Sequence, residues 1–333
     1  MNDFLIPYHD LCYHRLDVRI TAVKDTIFDA WPGAIIRNNL LFASEQIPVG
    51  GEMSLREKIN RIPLLSSHPL YKDLAGGFPR GYQVTLQSNH DMTSSVFLRK
   101  NEILCFSVIL IGDMAQYFNY FIRAIRLMCQ RGFGYPMVPF LLIDVNERSY
   151  SGECQLLATE QSGLSDRLQY PVRLSDFYPN QPKGNKKSLK IMFETPVSLF
   201  KQTKKKDTKI SYQDKTNGFP SFYQLVRSMV FRLQKLHTLY VDPDNYFDSE
   251  EQIEDYLNHA RECSLLAADI RKIVLQSTPK KETEDRIQFG GYIGELSFDG
   301  DFSGYIPLLR FMQELGVGDG VVYGMGRFRT NIK

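Results

Sequence analysis

The chain of 333 residues has almost no charge surplus, since 40 Lys and Arg against 38 Asp and Glu leave a net +2. Any contact with a polyanion must come from local clusters rather than from the field of the whole protein. Its five cysteines (Cys12, Cys105, Cys129, Cys154, Cys263) are an odd number, far apart, with no Cys-x-x-Cys pair. That spacing supports neither a disulfide framework nor a zinc site. The chain also lacks His-Glu-x-x-His, Gly-x-Ser-x-Gly and a glycine loop ending in Gly-Lys-Ser/Thr, so zinc proteases, esterase triads and Walker sites lose their motifs. No run of about 18 apolar residues occurs, and the opening MNDFLIPYHD has no basic stretch ahead of an apolar one. The expectation is a cytoplasmic protein with no membrane span, no metal and no cofactor.

What is present is enough apolar material for a full core: 43% hydrophobic and 12% aromatic residues, over a length that suggests two domains. Residues 11–23 alternate with period two, placing Cys12, Leu16, Val18 and Ile20 on one face and Tyr13, Arg15, Asp17 and Arg19 on the other. Trp31-Pro32-Gly33 opens a helix over 34–43, because proline is tolerated at a helix start. Strands are expected at 82–88, 103–111 and 138–145, with an amphipathic helix at 114–131 that stops at Gly132. Polar residues 146–187 read as a connector. The second half then gives a strand at 189–200, a helix at 221–240, an acidic helical insertion at 249–273, a strand at 289–300, a helix at 305–315 and a closing strand at 321–329.

The pattern strand, helix, glycine turn, strand at 103–145 returns at 289–329. Each half therefore reads β-α-β-β-α-β, and the expected fold is α+β, with two tandem ferredoxin-like domains facing each other across a cleft. The expected limits are residues 1–146, a connector at 147–187, and residues 188–333.

Two stretches suggest anion binding. The lysines at 183–209, among them Lys204, Lys205 and Lys206, can neutralise phosphates, although a charge run is more commonly a solvated loop. Near the end, Gly316, Gly318, Gly320, Gly324 and Gly326 exceed the glycines a tight turn needs, and Arg327 and Arg329 follow. Consecutive backbone N–H groups in such a loop form an anion-binding concavity. Among the histidines, His14 and His237 fall on or beside apolar faces and read as core residues. His68 sits in the long 44–81 loop beside Tyr71 and Lys72, where loops carry function more often.

The ending GELSFDGDFSGYIPLLRFMQELGVGDGVVYGMGRFRT resembles the C-terminal signature of the CRISPR-associated endoribonucleases that process precursor CRISPR RNA, the Cas family numbered six, in the RAMP superfamily. WPGAIIRNNLL, ILCFSVILIG, GFGYPMVPFLLIDV, MFETPVSLF and FYQLVRSMVFRLQKL extend the likeness over nearly the whole chain. The resemblance implies metal-independent cleavage of CRISPR repeat RNA, in which a ribose 2′-OH attacks the adjacent phosphate. It implies CRISPR repeat RNA, and other Cas proteins of an effector complex, as partners. By region, it assigns proton transfer to His68, assisted by Tyr71 or Lys72, and RNA contact to the glycine loop, its arginines and the lysines. Asp319 departs from the pattern inside the loop, and residues 44–81 lack the paired cysteines of some relatives. The alternative is a non-catalytic RNA-binding RAMP subunit that holds guide RNA.

Overall fold

The computed structural model describes residues 2–28, 31–74, 77–86, 95–178, 188–199, 219–244, 250–276 and 288–332. In the first half, strand β1 (Cys12–Ala22) leads to helix α1 (Pro32–Ser44), strands β2 (Tyr82–Leu86) and β3 (Ile103–Ile111), helix α2 (Phe118–Arg131) and strand β4 (Phe140–Arg148). Strand β5 (Cys154–Thr159) follows, inside the stretch expected to be a connector, and pairs with β4. The sheet runs β2-β3-β1-β4-β5 and is antiparallel throughout.

The second half repeats the order with strand β6 (Ser188–Val197), helices α3 (Phe222–Tyr240) and α4 (Glu250–Arg261), strands β7 (Ser264–Gln276) and β8 (Gln288–Asp299), helix α5 (Ile306–Leu315) and strand β9 (Phe328–Ile332). Its sheet runs β7-β8-β6-β9, again antiparallel. Numbered by position within each half, both four-stranded cores have the same order: second, third, first, fourth.

Local chemistry accounts for these elements. On β1, Leu16, Val18 and Ile20 are fully buried on one face, while the other face leaves Arg19 exposed but buries Tyr13 and Asp17, the former against the second half. On α2, Phe121, Ile125 and Met128 recur at helical spacing and are buried. Ser221 opens α3 with a capping box: its hydroxyl accepts from the Gln224 amide at 3.2 Å, and the Gln224 side chain accepts from the Ser221 amide at 2.9 Å.

Two expectations are corrected. The 249–273 stretch is no simple helical insertion, because after α4 it turns into the edge strand β7. A register shift between Leu265 and Ala267 breaks the period-two pattern there, so the strand does not announce itself in the apolar spacing. The closing strand also starts later than expected, at Phe328, after a short turn at Val321–Tyr323. Gly324 and Gly326 have φ of 82° and 80°, so the backbone there follows left-handed turns rather than an extended strand.

The halves are packed together. Tyr13 on β1 and Phe177 both pack on Phe311 of α5, at ring centroid distances of 5.6 and 6.0 Å. Arg15 on β1 pairs with Glu314 at 3.1 Å.

Within the first half, His14 Nδ1 meets Glu147 Oε1 at 2.7 Å, and the same carboxylate accepts the amides of Gln169 (2.6 Å) and Tyr170 (2.9 Å). Burial alone would push the Glu147 carboxyl up, but these hydrogen bonds hold it below its ordinary value. A carboxyl depressed in the folded state stabilises fully above its unfolded value of about 4.3. That stabilisation is lost as pH falls through the folded value. Wild-type protein should therefore lose urea resistance on acidification below about pH 4. Glu147→Gln should start less stable and show a flatter acid limb in the same titration, and an unchanged limb would contradict the assignment.

Candidate functional site

The glycine-rich loop after α5 begins at two helix-end carbonyls that are capped by side chains. Arg232 of α3 donates Nε–H to Leu315 O at 3.1 Å, and Gln83 of β2 donates its amide to Glu314 O. Arg232 also reaches Gln83 Oε1 at 3.4 Å, and desolvation pulls its guanidinium down to about 10. The helix C-terminus, with its partial negative charge, is therefore held by a cation from its own half and an amide from the other.

From there the loop is sewn to its surroundings by backbone bonds. Val317 N donates to Gly326 O (2.9 Å), Asp319 N to Ser198 O (2.8 Å) and Gly326 N to Pro196 O (2.9 Å). The first half receives the tip: Trp31 Nε1 donates to Tyr323 O at 2.6 Å. A Cβ on Gly33 would stand 2.3 Å from that same oxygen, and one on Gly324 would stand 2.7 Å from Val84 O. Gly316, Gly324 and Gly326 are buried, while Gly318 and Gly320 are half-buried and Asp319 is exposed. Much of the glycine excess is thus required by close backbone approach within the protein.

Around the seated loop stands a cluster of arginines and tyrosines. The Arg37 guanidinium of α1 lies 4.7 Å from the centre of the Tyr323 ring. Arg80 stacks on Phe78 at 3.9 Å and donates to Asn60 O at 2.9 Å. Tyr82 and Tyr240 lie beside them, and the Tyr240 hydroxyl donates to Pro79 O at 3.0 Å. Burial, opposed by Arg37, raises the Tyr82 phenol, and burial raises that of Tyr240 as well, so neither is a base near neutrality. Desolvation lowers Arg80, and the like charge of Arg37 adds to the effect. Among the described residues, no carboxylate forms an ion pair with Arg37, Arg80 or Arg232. An arginine group without acids, bordered by aromatic rings, is suited to a phosphodiester.

The residues singled out from sequence are placed differently from one another. Arg327 is absorbed into the fold: its amide donates to Thr195 Oγ1 and its Nη1 to Leu86 O, both at 2.8 Å, and Glu194 lies 3.6 Å away. Arg329 pairs with the same Glu194 but keeps 69% of its side chain exposed, so it can still reach a ligand. Lys204, Lys205 and Lys206 lie outside the described residues. His68 Nε2 meets Pro243 O at 2.9 Å while Nδ1 accepts the Leu70 amide at 3.1 Å. That pair of bonds fixes the Nε2–H tautomer and occupies both nitrogens. Tyr71 follows in a short helical turn (Tyr71–Leu74), its amide bonded to His68 O, and Lys72 is exposed. Pro243 comes three residues after Tyr240, which puts His68 at the α3 end of the junction.

His14 and His237 are structural. His14 is the buried partner of Glu147, and His237 is fully buried with Nε2 2.8 Å from Asp10. Sequence reasoning missed Arg37, Arg80, Gln83, Arg232 and Tyr323. The one available signal was the single tryptophan beside Gly33, the pair that receives the loop. Among the described residues, no cluster of three His, Cys, Asp or Glu side chains could hold a metal, and no helix is long and apolar enough to cross a membrane.

Residues 191–328 match the family model described as CRISPR-associated endoribonuclease Cas6, and residues 69–169 match one described as an N-terminal domain. No curated protein matches the sequence. Among solved structures, a Cas6 product complex aligns with 96% of this chain and 100% of its own, at 12% identity and a TM-score of 0.54. Thermus thermophilus Cas6 aligns over 96% and 99%, at 12% identity and a TM-score of 0.50. A partial Cas6-RT-Cas1–Cas2 complex aligns over 97% of this chain and 46% of that one, at 13% identity and a TM-score of 0.57. At such identities the likeness is one of fold.

Proposed function

We propose that this chain, which resembles the Cas6 endoribonucleases by family model across residues 191–328 and by fold across nearly its whole length, cleaves CRISPR repeat RNA in precursor transcripts. The family match carries the reading, and the arginine cluster, with no paired acid among the described residues, supports it. The strand order shared by both halves supports two tandem ferredoxin-like domains, 1–146 and 188–333, with RNA bound between them. Partners would be repeat RNA and other Cas proteins, and the activity would need no metal or cofactor.

The proposed reaction is attack of a ribose 2′-oxygen on its own 3′-phosphorus. The new O2′–P bond forms as the P–O5′ bond breaks, leaving a 2′,3′-cyclic phosphate and a 5′-OH. Arg37 and Arg80 stabilise the charge that builds on the phosphoryl oxygens. His68, with Tyr71 and Lys72 beside it, is the proposed proton carrier, and its ring must first leave Pro243 to free Nε2. The half-buried Gly318 and Gly320, together with Arg329 and the lysines at 204–206, would track the RNA backbone.

Incubation with repeat-containing RNA in EDTA tests this. A single cut with a cyclic-phosphate end is expected, abolished by a 2′-deoxy substitution at the cut. His68→Ala should slow it by about 10²-fold. Normal cutting by His68→Ala would remove His68 from the mechanism without touching the arginines. The engagement of both His68 nitrogens favours one second reading, a non-catalytic RNA-binding subunit, and tight binding without product would establish it.

A further inference from the structure

A cleft of about 360 Å³ opens where the 53–65 segment, the turn at Gly112–Tyr117 and the end of α3 meet. Its floor is apolar, with Met114, Leu239 and Tyr240 all buried. Its rim is polar: Lys58, Arg61, Asp113 and Gln116 stand around the mouth. Lys58 Nζ lies 5.1 Å from the centre of the half-buried Tyr117 ring, and Gln116 donates to the Asp113 carbonyl at 2.9 Å. Among the described residues, Lys58, Arg61 and Asp113 enter no ion pair. Tyr240 joins this cleft to the arginine cluster, because the same ring packs against Gly81 beside Arg80.

We propose that this cleft receives one unstacked nucleotide of the RNA, its base lying over the apolar floor with the Watson–Crick edge toward the rim, and that Asp113 makes it select guanine. The inference rests on the RNA-binding reading above. Bases of single-stranded RNA are recognised when splayed out, packed against aromatic rings and read along their Watson–Crick edge. An ionised carboxylate only accepts hydrogen bonds. Guanine alone presents two adjacent donors on that edge, N1–H and N2–H. Uracil sets carbonyl oxygens on both sides of its single donor, and adenine and cytosine each set an acceptor nitrogen beside their amine. Lys58 and Arg61 at the mouth are placed for the flanking phosphates and offset the charge of Asp113. The volume falls within the range of small-ligand sites.

The test uses four fluorescent oligouridines of about ten nucleotides carrying a central G, A, C or U, a length matched to a single-strand groove. Binding is read by anisotropy in EDTA. Wild type should bind the G oligomer about 5-fold or more tighter than the other three, the size of one good two-point base contact. Asp113→Asn should shrink that preference to about twofold or less while leaving oligouridine binding undiminished. Lys58→Ala combined with Arg61→Ala should weaken all four alike. Equal wild-type affinities, or a G preference that survives Asp113→Asn, overturns the guanine pocket and leaves RNA binding standing. Failure of wild type to bind any of the four overturns the RNA reading and the pocket with it.

Discussion

Arg37→Ala should lower the single-turnover rate of repeat-RNA cleavage by about 10²- to 10³-fold, the cost of removing one preorganised charge stabiliser from a transition state. The guanidinium sits over Tyr323 and next to Arg80, with no acid to neutralise it among the described residues. In the ground state it competes with water for a phosphate already in contact with solvent cations, so RNA affinity should fall far less than rate. The substitution should leave the fold intact, because Arg37 is half-buried and bonds through its side chain to the neighbouring Asn38 and to the Tyr82 phenol rather than to another element's backbone. Arg37→Lys should recover little, since an ammonium offers neither the planar fork nor the stacking face. A rate within about threefold of wild type for Arg37→Ala would move the reacting phosphate away from this cluster.

The second large effect concerns stability. Gly326 has φ of 80°, and a Cβ there would stand 2.2 Å from Val317 O, while its own amide and carbonyl are bonded to Pro196 O and Val317 N. Gly326→Ala therefore adds a left-handed alanine, costing about 1–2 kcal/mol, to an overpacked contact costing about 1–3 kcal/mol. Gly152 is the control: its φ is 96°, but nothing stands within 4 Å of the added Cβ. Gly152→Ala should show the backbone cost alone. In thermal melts, at about 2–4 °C per kcal/mol for a chain of this class, Gly326→Ala should melt clearly below Gly152→Ala. Equal melting temperatures would mean that the loop is not seated as described. Because the loop carries Tyr323 to Arg37, Gly326→Ala should also reduce cleavage below the melting range.

The same loop shows how far the sequence could be read. Its glycines stand out in GVGDGVVYGMGRFRTNIK, and the excess over an ordinary turn is real. A glycine needed so that RNA can approach and one needed so that Val317 or Val84 can approach are identical in sequence. Only the fold shows that Gly324 and Gly326 serve the protein itself. Likewise Arg327 and Arg329 look equivalent two residues apart, yet Arg327, just ahead of β9, turns inward to Leu86 O, while Arg329 on β9 stays largely in solvent. Arg37 in PGAIIRNNLL reads as a solvated helix residue, and what makes it a candidate is a tyrosine 286 positions later.

The sequence by itself determined the elements with strong periodicity. Strand β3 was legible at its observed limits, and β1, α2 and α3 to within a few residues, because burial of one face imposes a repeat of two or 3.6 on the residues themselves. It also determined the internal repeat, and through the repeat the order of each half. Tertiary structure alone decided three things: that Ser264–Gln276 is a core-edge strand, that the glycine loop is clamped between halves, and that three arginines from α1, the segment before β2 and α3 converge with no carboxylate paired to them among the described residues. The physical reason is that periodicity reports a residue's relation to its own element. A bulge, a backbone contact or an unbalanced charge is a relation between elements far apart in the chain, and it exists only once the sheet order has brought them together.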